Sequence, residues 1–283
     1  MRRATAAAEE RAAPPPAAVP SLLKWTGSKR SQARAIHALL PDHRRYFEPF
    51  LGSGALLYLA ARPGAVAGDI YRPLVDLWAL VRDAPRDVVA NYRQQWQGLR
   101  AHCPDYFYEV RDRFNRSRDP LDLNFLTRTC VNGIVRFNSR GEFNNSFHLS
   151  RPGMDPDRFA AVVARWSGRL AGVRFVAGDA EESLADASRG DLAYLDPPYA
   201  GSRQRYAADL EPSRLFRMLE RLNRRGAKWA LSFDGRRGDI DLTHPVPRSL
   251  FKRHVYLRSG LSAVNKVLNG GLDSVHESLY LNY

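Results

Sequence analysis

From about Tyr46 onward, short apolar runs alternate with amphipathic stretches, and the two periods separate strands from helices. Tyr46 to Phe50 reads as a short buried strand running into the loop Leu51-Gly52-Ser53-Gly54. Ala55 to Ala61 then reads as a helix, and Ala65 to Asp69 as a second strand that ends on an acid. Strand, glycine turn, helix and strand-with-acid is the order of a nucleotide-binding α/β unit. The rhythm returns at Val173 to Ala177 and at Asp191 to Leu195, both apolar and bounded by Gly and Asp. Pro212 to Arg225 puts Leu215, Phe216, Leu219 and Leu222 on one face, an amphipathic helix closed by Gly226. Lys228 to Phe233 is the next strand, and Phe251 to Leu257 and Ser278 to Tyr283 alternate as paired antiparallel edge strands. The pattern predicts an α/β protein with a doubly wound, Rossmann-like sheet and antiparallel strands at one edge.

Between Asp83 and about Arg169 the rhythm changes to clustered arginines, many aromatics and a long polar loop. The division this predicts is a disordered tail over 1–19, a core over 20–83, a mostly helical insertion over 84–169 and the rest of the core over 170–283. The tail expectation rests on Ala and Pro, which bury too little to offset ordering. Arg11 to Pro16 also interrupts any secretory apolar core there. No apolar run approaches the roughly 18–20 residues that cross a bilayer. Cys103 and Cys130 form no CxxC pair, and the seven histidines fall at no metal-ligand spacing, so no metal is expected and the compartment reads as reducing and cytoplasmic. The formal charge of +13 is carried almost wholly by arginine and suits a polyanionic partner as well as it suits solubility.

Three segments carry candidate chemistry. Asp196-Pro197-Pro198-Tyr199 follows a strand directly. An exocyclic amino nitrogen such as adenine's is a poor nucleophile, because its lone pair is delocalised into the ring. Acceptors on its two hydrogens expose that pair, and the Asp196 carboxylate and Pro197 carbonyl can be those acceptors. The prolines fix the backbone, and Tyr199 offers a stacking face. A base treated this way must first leave the duplex. In the second segment, Gly52 and Gly54 allow close backbone approach to a ligand, and Asp69 lies where a carboxylate accepts ribose hydroxyls. The third glycine of the dinucleotide fingerprint is missing, so a ligand with ribose and no phosphate fits better. The third segment, Leu22 to Lys29, has no Walker spacing and reads equally well as a surface helix start.

Together these motifs resemble the Dam-type group of adenine-specific DNA methyltransferases, in content and order, from Leu23 to about Tyr283. Lys24-Trp25-Thr26-Gly27-Ser28-Lys29 is similar to the group's Lys-Trp-x-Gly-Gly-Lys, with Ser28 for the second glycine. Phe47 to Gly54 is similar to Phe/Val-Glu-Pro-Phe-x-Gly-x-Gly, and Asp69-Ile70 to Asp-Ile-Asn with Tyr71 for Asn. The resemblance implies that S-adenosylmethionine is held by Trp25, Lys29, Glu48, Phe50, Gly52, Gly54, Asp69, Ile70, Asp179 and Asp196. Asn132 to Asn144 is similar to the group's Asn-Gly-x-x-Arg-x-Asn-x-x-Gly-x-Phe-Asn, which implies duplex DNA contacts by Asn132, Arg136, Asn138, Arg140 and Asn144. The other reading of that stretch is a polar hairpin whose asparagines and glycines serve its turns. Ser146-Phe147-His148 departs from the group's Pro-x-Gly, so no target sequence transfers.

The resemblance also implies a monomer and leaves room for a cognate restriction endonuclease. Ser232-Phe233-Asp234 resembles a segment that lines the base pocket, and His276 to Leu279 reads as structural. Two rivals stand beside adenine methylation: transfer to the amino group of cytosine, and a DNA-binding protein that keeps the shell without activity. All of these readings except the last require Lys29, Asp69 and Asp196 to face one cavity.

Overall fold

A computed structural model describes residues 18–150, 153–198, 210–237, 240–241, 245–259 and 275–283. The expected tail, but for its last residues, and Tyr199 lie outside the described residues. In chain order the elements are α1 (Ala33–His37), β1 (Tyr46–Glu48), α2 (Ala55–Ala60), β2 (Val66–Asp69) and α3 (Arg72–Asp83). Then come α4 (Pro85–Ala101), α5 (Asp105–Ser117), α6 (Pro120–Thr129), α7 (Pro156–Leu170), β3 (Arg174–Ala177) and α8 (Ala180–Ser183). The chain closes with β4 (Leu192–Leu195), α9 (Pro212–Arg224), β5 (Lys228–Arg237), β6 (Ile240–Asp241), β7 (Arg253–Ser259) and β8 (Val275–Leu281).

The strands form one sheet in the order β3-β2-β1-β4-β5-β8-β7, with β6 on β5. β3, β2, β1, β4 and β5 run parallel, and β8 enters antiparallel beside β5 and is followed by β7. Burial explains the strands' composition. Tyr46, Leu192, Tyr194, Ala230, Leu279 and Leu281 face one apolar cluster. Their neighbours Phe47, Ala193, Leu195, Trp229, Leu231 and Tyr280 face the other. Helices cover both faces, so the central strands read as continuous apolar runs. Several helices take Pro in the first turn (α3, α4, α6, α7 and α9), where its missing N–H costs nothing.

Arg44 and Arg45 tie the amino end of β4 to the start of β1. Both guanidiniums bond Asp191, which is fully buried, at 2.8–3.4 Å. Burial alone would raise that carboxyl's pKa, but the hydrogen bonds from Arg44, Arg45 and the Ser188 N–H prevail and hold it at about 2.

The stretch after α3 is helical, as expected, and shares one apolar cluster with the sheet. α4 and α6 pack on each other and on α3, α5 packs on α4 and α6, and α7 packs on α4, α3 and α2. On α7, Trp166 meets Trp78 at 4.5 Å and Tyr58 at 4.8 Å. Its indole N–H also donates to the Pro20 carbonyl at 3.1 Å. Arg128, 5% exposed, donates to the carbonyls of Ser21 and Leu22. Residues 20–22 are thereby pinned to α6 and α7, which fixes the start of the Lys24 to Lys29 motif.

The order reverses at β1: β2 and β3 lie on one side, β4 and β5 on the other. Ligands of doubly wound sheets bind beyond the carboxyl ends of the strands at such a point. Glu48, Asp69 and Asp196 end, or directly follow, β1, β2 and β4 there.

Candidate active site

One cavity opens at that carboxyl edge, lined by Trp25 and Lys29 from the N-terminal motif, Glu48 to Ser53, Asp69 to Tyr71, Asp179, Tyr194 and Asp196 to Pro198. Lys29, Asp69 and Asp196 therefore share it. Of the residues implied for the cofactor, only Gly54 is missing from the lining. The residues implied for DNA stand outside the cavity, and Tyr199 is not described.

The glycine loop is shaped by both of its glycines. Gly52 (φ 45°) and Gly54 (φ 65°) are left-handed, a conformation that favours glycine. Asp69 Oδ2 accepts the Gly52 N–H at 3.2 Å, and the Trp78 indole donates to the Gly52 carbonyl at 3.1 Å. A Cβ on Gly52 would come within 3.1 Å of the Trp25 ring. Gly54 faces inward, where a Cβ would meet Trp78 and Trp166 at 3.2–3.3 Å. Its service is to the packing of α2. Ser28, where the resembling group has glycine, bonds Ser53 through its hydroxyl at 2.7 Å and joins the N-terminal motif to this loop.

The acids differ in state. Glu48 is 3% exposed and accepts from the Tyr46 hydroxyl at 2.8 Å. Burial pushes its pKa up to about 8; the Tyr46 bond opposes this, and the charge of Asp196 adds to it. Burial also raises Asp69, against donation from the Tyr71, Gly52 and Ile70 N–H groups. Asp196 is paired: Lys29 Nζ lies 2.8 Å from its Oδ1, and Lys29 is itself only 6% exposed. Lys29 thus holds the carboxylate at the end of β4. Asp179 caps α8 and pairs with Arg214 of α9 at 2.8 Å.

The apolar wall combines Ile70, 53% exposed at the mouth, with Trp25, Phe50, Tyr71 and Phe137. Trp25, Tyr71 and Phe137 touch in sequence, with ring centroids 6.1 and 5.1 Å apart. Residue-level reading missed Tyr71, Phe137, Leu210 and Arg214. The only signal for Tyr71 was that it replaces an expected asparagine.

Phe137 belongs to a tight hairpin. The Asn144 N–H donates to the Arg136 carbonyl and the Asn138 N–H to the Glu142 carbonyl, and Gly141 at φ 72° closes the turn. Asn138 Oδ1 accepts from the Arg140 and Glu142 N–H groups, and its amide donates to Glu142. Arg136 bonds Asn144. Asn138 therefore builds the turn. Arg140, at the tip, is 79% exposed and pairs with Glu142. The base of the hairpin is sewn to the N-terminal motif. The Thr26 hydroxyl donates to the Val135 carbonyl and accepts its N–H, and Gly133 leaves room for the Lys24 side chain. Asn132, at φ 54°, turns the chain into this contact. Phe147, in the stretch that departs from the expected Pro-x-Gly, is buried and bridges to Cys130.

Among the described residues no group of three or more His, Cys, Asp or Glu side chains is placed to hold a metal ion, and no helix is long and apolar enough to cross a membrane. The family model of the D12 class N6 adenine-specific DNA methyltransferases matches residues 25–258. The DNA adenine methylase of Serratia marcescens is 31% identical over 184 residues, 64% of this chain and 67% of that protein. The type II methyltransferase M1.LlaDCHI of Lactococcus lactis subsp. cremoris is 26% identical over 186 residues, 62% of this chain and 64% of that protein. For the type II methyltransferase M.MjaIII of Methanocaldococcus jannaschii the figures are 28% over 247 residues, 76% and 84%. The chain thus spans about two thirds of the length of the first two relatives.

Proposed function

The chain belongs to the D12 class of N6 adenine-specific DNA methyltransferases, and from that premise we propose that it methylates the exocyclic amino group of an adenine flipped out of duplex DNA, with S-adenosylmethionine as donor. The observation that carries this reading is the one cavity holding Asp196, Lys29, Asp69 and the Gly52 loop. The residues present fit the cofactor. Asp69 has lone pairs left for ribose hydroxyls, Ile70 and Phe50 offer apolar surface to a planar base, and the excess of carboxyl groups favours a cation. When bound, S-adenosylmethionine supplies a methyl group on sulfonium sulfur, whose carbon–sulfur pair leaves on sulfur as the nitrogen–carbon bond forms.

Asp196 and the Pro197 carbonyl accept the two amino hydrogens of the target and turn its lone pair toward the methyl carbon. One amino proton passes to Asp196 and on to solvent. Lys29 at 2.8 Å stabilises the charge that makes Asp196 an acceptor. No covalent enzyme intermediate is needed; alignment and fixed hydrogen bonds do the work. Tyr199, next in sequence, is assigned the stacking face. Arg136 and Arg140 contact DNA, with Asn132 and Asn144 beside them, and Asn138 contributes through the shape of the hairpin.

The test is transfer of labelled methyl from S-adenosylmethionine to genomic duplex DNA, followed by nucleoside analysis. N6-methyladenine is expected. Asp196→Ala should lower the rate at least about 100-fold while the protein stays folded. No label in any of several DNAs, or label on cytosine, would overturn the proposal.

A further inference from the structure

β8 runs antiparallel to β5, so its first residues reach the carboxyl edge where β1, β2 and β4 end. Side chains alternate along it: Leu279 and Leu281 face the cluster beneath α1, α2 and α3, and Tyr280 faces the opposite one. Alternation puts Glu277 on the same face as the leucines, one step beyond them toward the cavity. An acid there is out of keeping with the row it continues. Its Oε2 is buried and has no hydrogen-bond partner among the described residues, yet it lies 3.6 Å from Lys29 Nζ. A buried carboxylate oxygen held off a hydrogen bond is costly unless it serves a charge nearby.

Lys29 Nζ thus has Asp196 Oδ1 at 2.8 Å, the Gly27 carbonyl at 3.4 Å and Glu277 Oε2 at 3.6 Å around it. An ammonium has three donors and no acceptor. With a single carboxylate for partner, its charge would fall wholly on Asp196 and weaken that group as an acceptor. A second carboxylate draws part of the field away, and the three charged groups together carry a formal −1. We propose that Glu277 is a positioning residue for Asp196: it shares the Lys29 ammonium, fixes its approach to one oxygen of Asp196, and so leaves the carboxylate a stronger acceptor toward the target amino group. The inference rests on the proposed methyl transfer, and it gives a task to a segment that reads from sequence as structural.

The experiment compares wild type with Glu277→Gln, which keeps shape and hydrogen bonding and removes the charge, and with Glu277→Asp, which keeps the charge and shortens the reach. Single-turnover methylation, KM for S-adenosylmethionine, Kd for duplex DNA and Tm are measured for each. Glu277→Gln is expected to lower the chemical rate about 10-fold, with KM, Kd and Tm close to wild type, and Glu277→Asp to recover part of the loss. A rate for Glu277→Gln within twofold of wild type overturns the inference and leaves the methyltransferase reading standing. So does a rate loss matched by equal losses in Tm and cofactor affinity, because that is the mark of a structural role. A wild type that transfers no label overturns both.

Discussion

Glu48 and Asp191 lie at opposite edges of the same sheet and are driven in opposite directions. Asp191 is buried against two guanidiniums, whose hydrogen bonds bring its pKa down to about 2; Glu48 is buried beside a neighbouring carboxylate, and burial above all brings its pKa up to about 8, against the Tyr46 hydrogen bond. A carboxyl whose folded pKa exceeds its unfolded value contributes stability that is complete below about 4.5 and is lost as pH rises toward 8. Glu48→Gln mimics the protonated form and should remove this dependence. From pH 6 to pH 9 wild type is expected to lose on the order of 2 kcal/mol more stability than the variant. Urea unfolding at several pH values measures it, and parallel profiles for the two proteins would refute the assignment.

Gly54 is where an element's packing and a loop's conformation meet. Its φ of 65° is unfavourable for any residue with a Cβ, and that atom would press on Trp78 and Trp166, both fully buried. Gly54→Ala should therefore cost about 2–3 kcal/mol, strain and overpacking combined, read as a lower urea midpoint at unchanged slope. A loss under about 1 kcal/mol would mean that the tryptophans yield freely. This loop was legible in the sequence because a glycine pair between a strand and a helix has a local cause. The strands were legible too, since burial on two faces writes an apolar run, and so was Asp196 after β4. What could not be read are meetings between distant elements. Phe137 reaches Tyr71, Arg214 reaches Asp179, and Glu277 reaches Lys29 only once the sheet order is set. The asparagines of the hairpin show the same limit: their spacing fits base edges and fits a turn, and only the hydrogen bonds of Asn138 reveal the turn.

At the scale of the molecule, the charge of +13 acquires a direction. The hairpin hangs from the cavity at the carboxyl edge by Phe137 and from α5 by Phe143, which meets Phe114 at 6.3 Å. Beside its tip, Arg111 and Arg116 of α5 and Arg140 line a polar cleft, and Arg136 stands exposed nearer the hairpin's base. α9 runs back across the sheet, so Arg224 at its C-terminal end lies at the edge away from the cavity. If DNA is held on the hairpin side, each arginine on a phosphate releases about one counterion, and Arg111, Arg116 and Arg136 together give a slope of log affinity against log salt of about −2.7. Arg116→Ala is expected to reduce that slope by about 0.9 and to weaken all duplexes alike, whereas Arg224→Ala leaves it unchanged. Arg140→Ala, at the exposed tip, is expected to reduce discrimination between duplex sequences more than it changes the slope. Fluorescence anisotropy across a salt series separates these outcomes. Equal effects of Arg116→Ala and Arg224→Ala would mean that the positive charge acts as a diffuse cloud, and the hairpin face would lose its claim to the DNA.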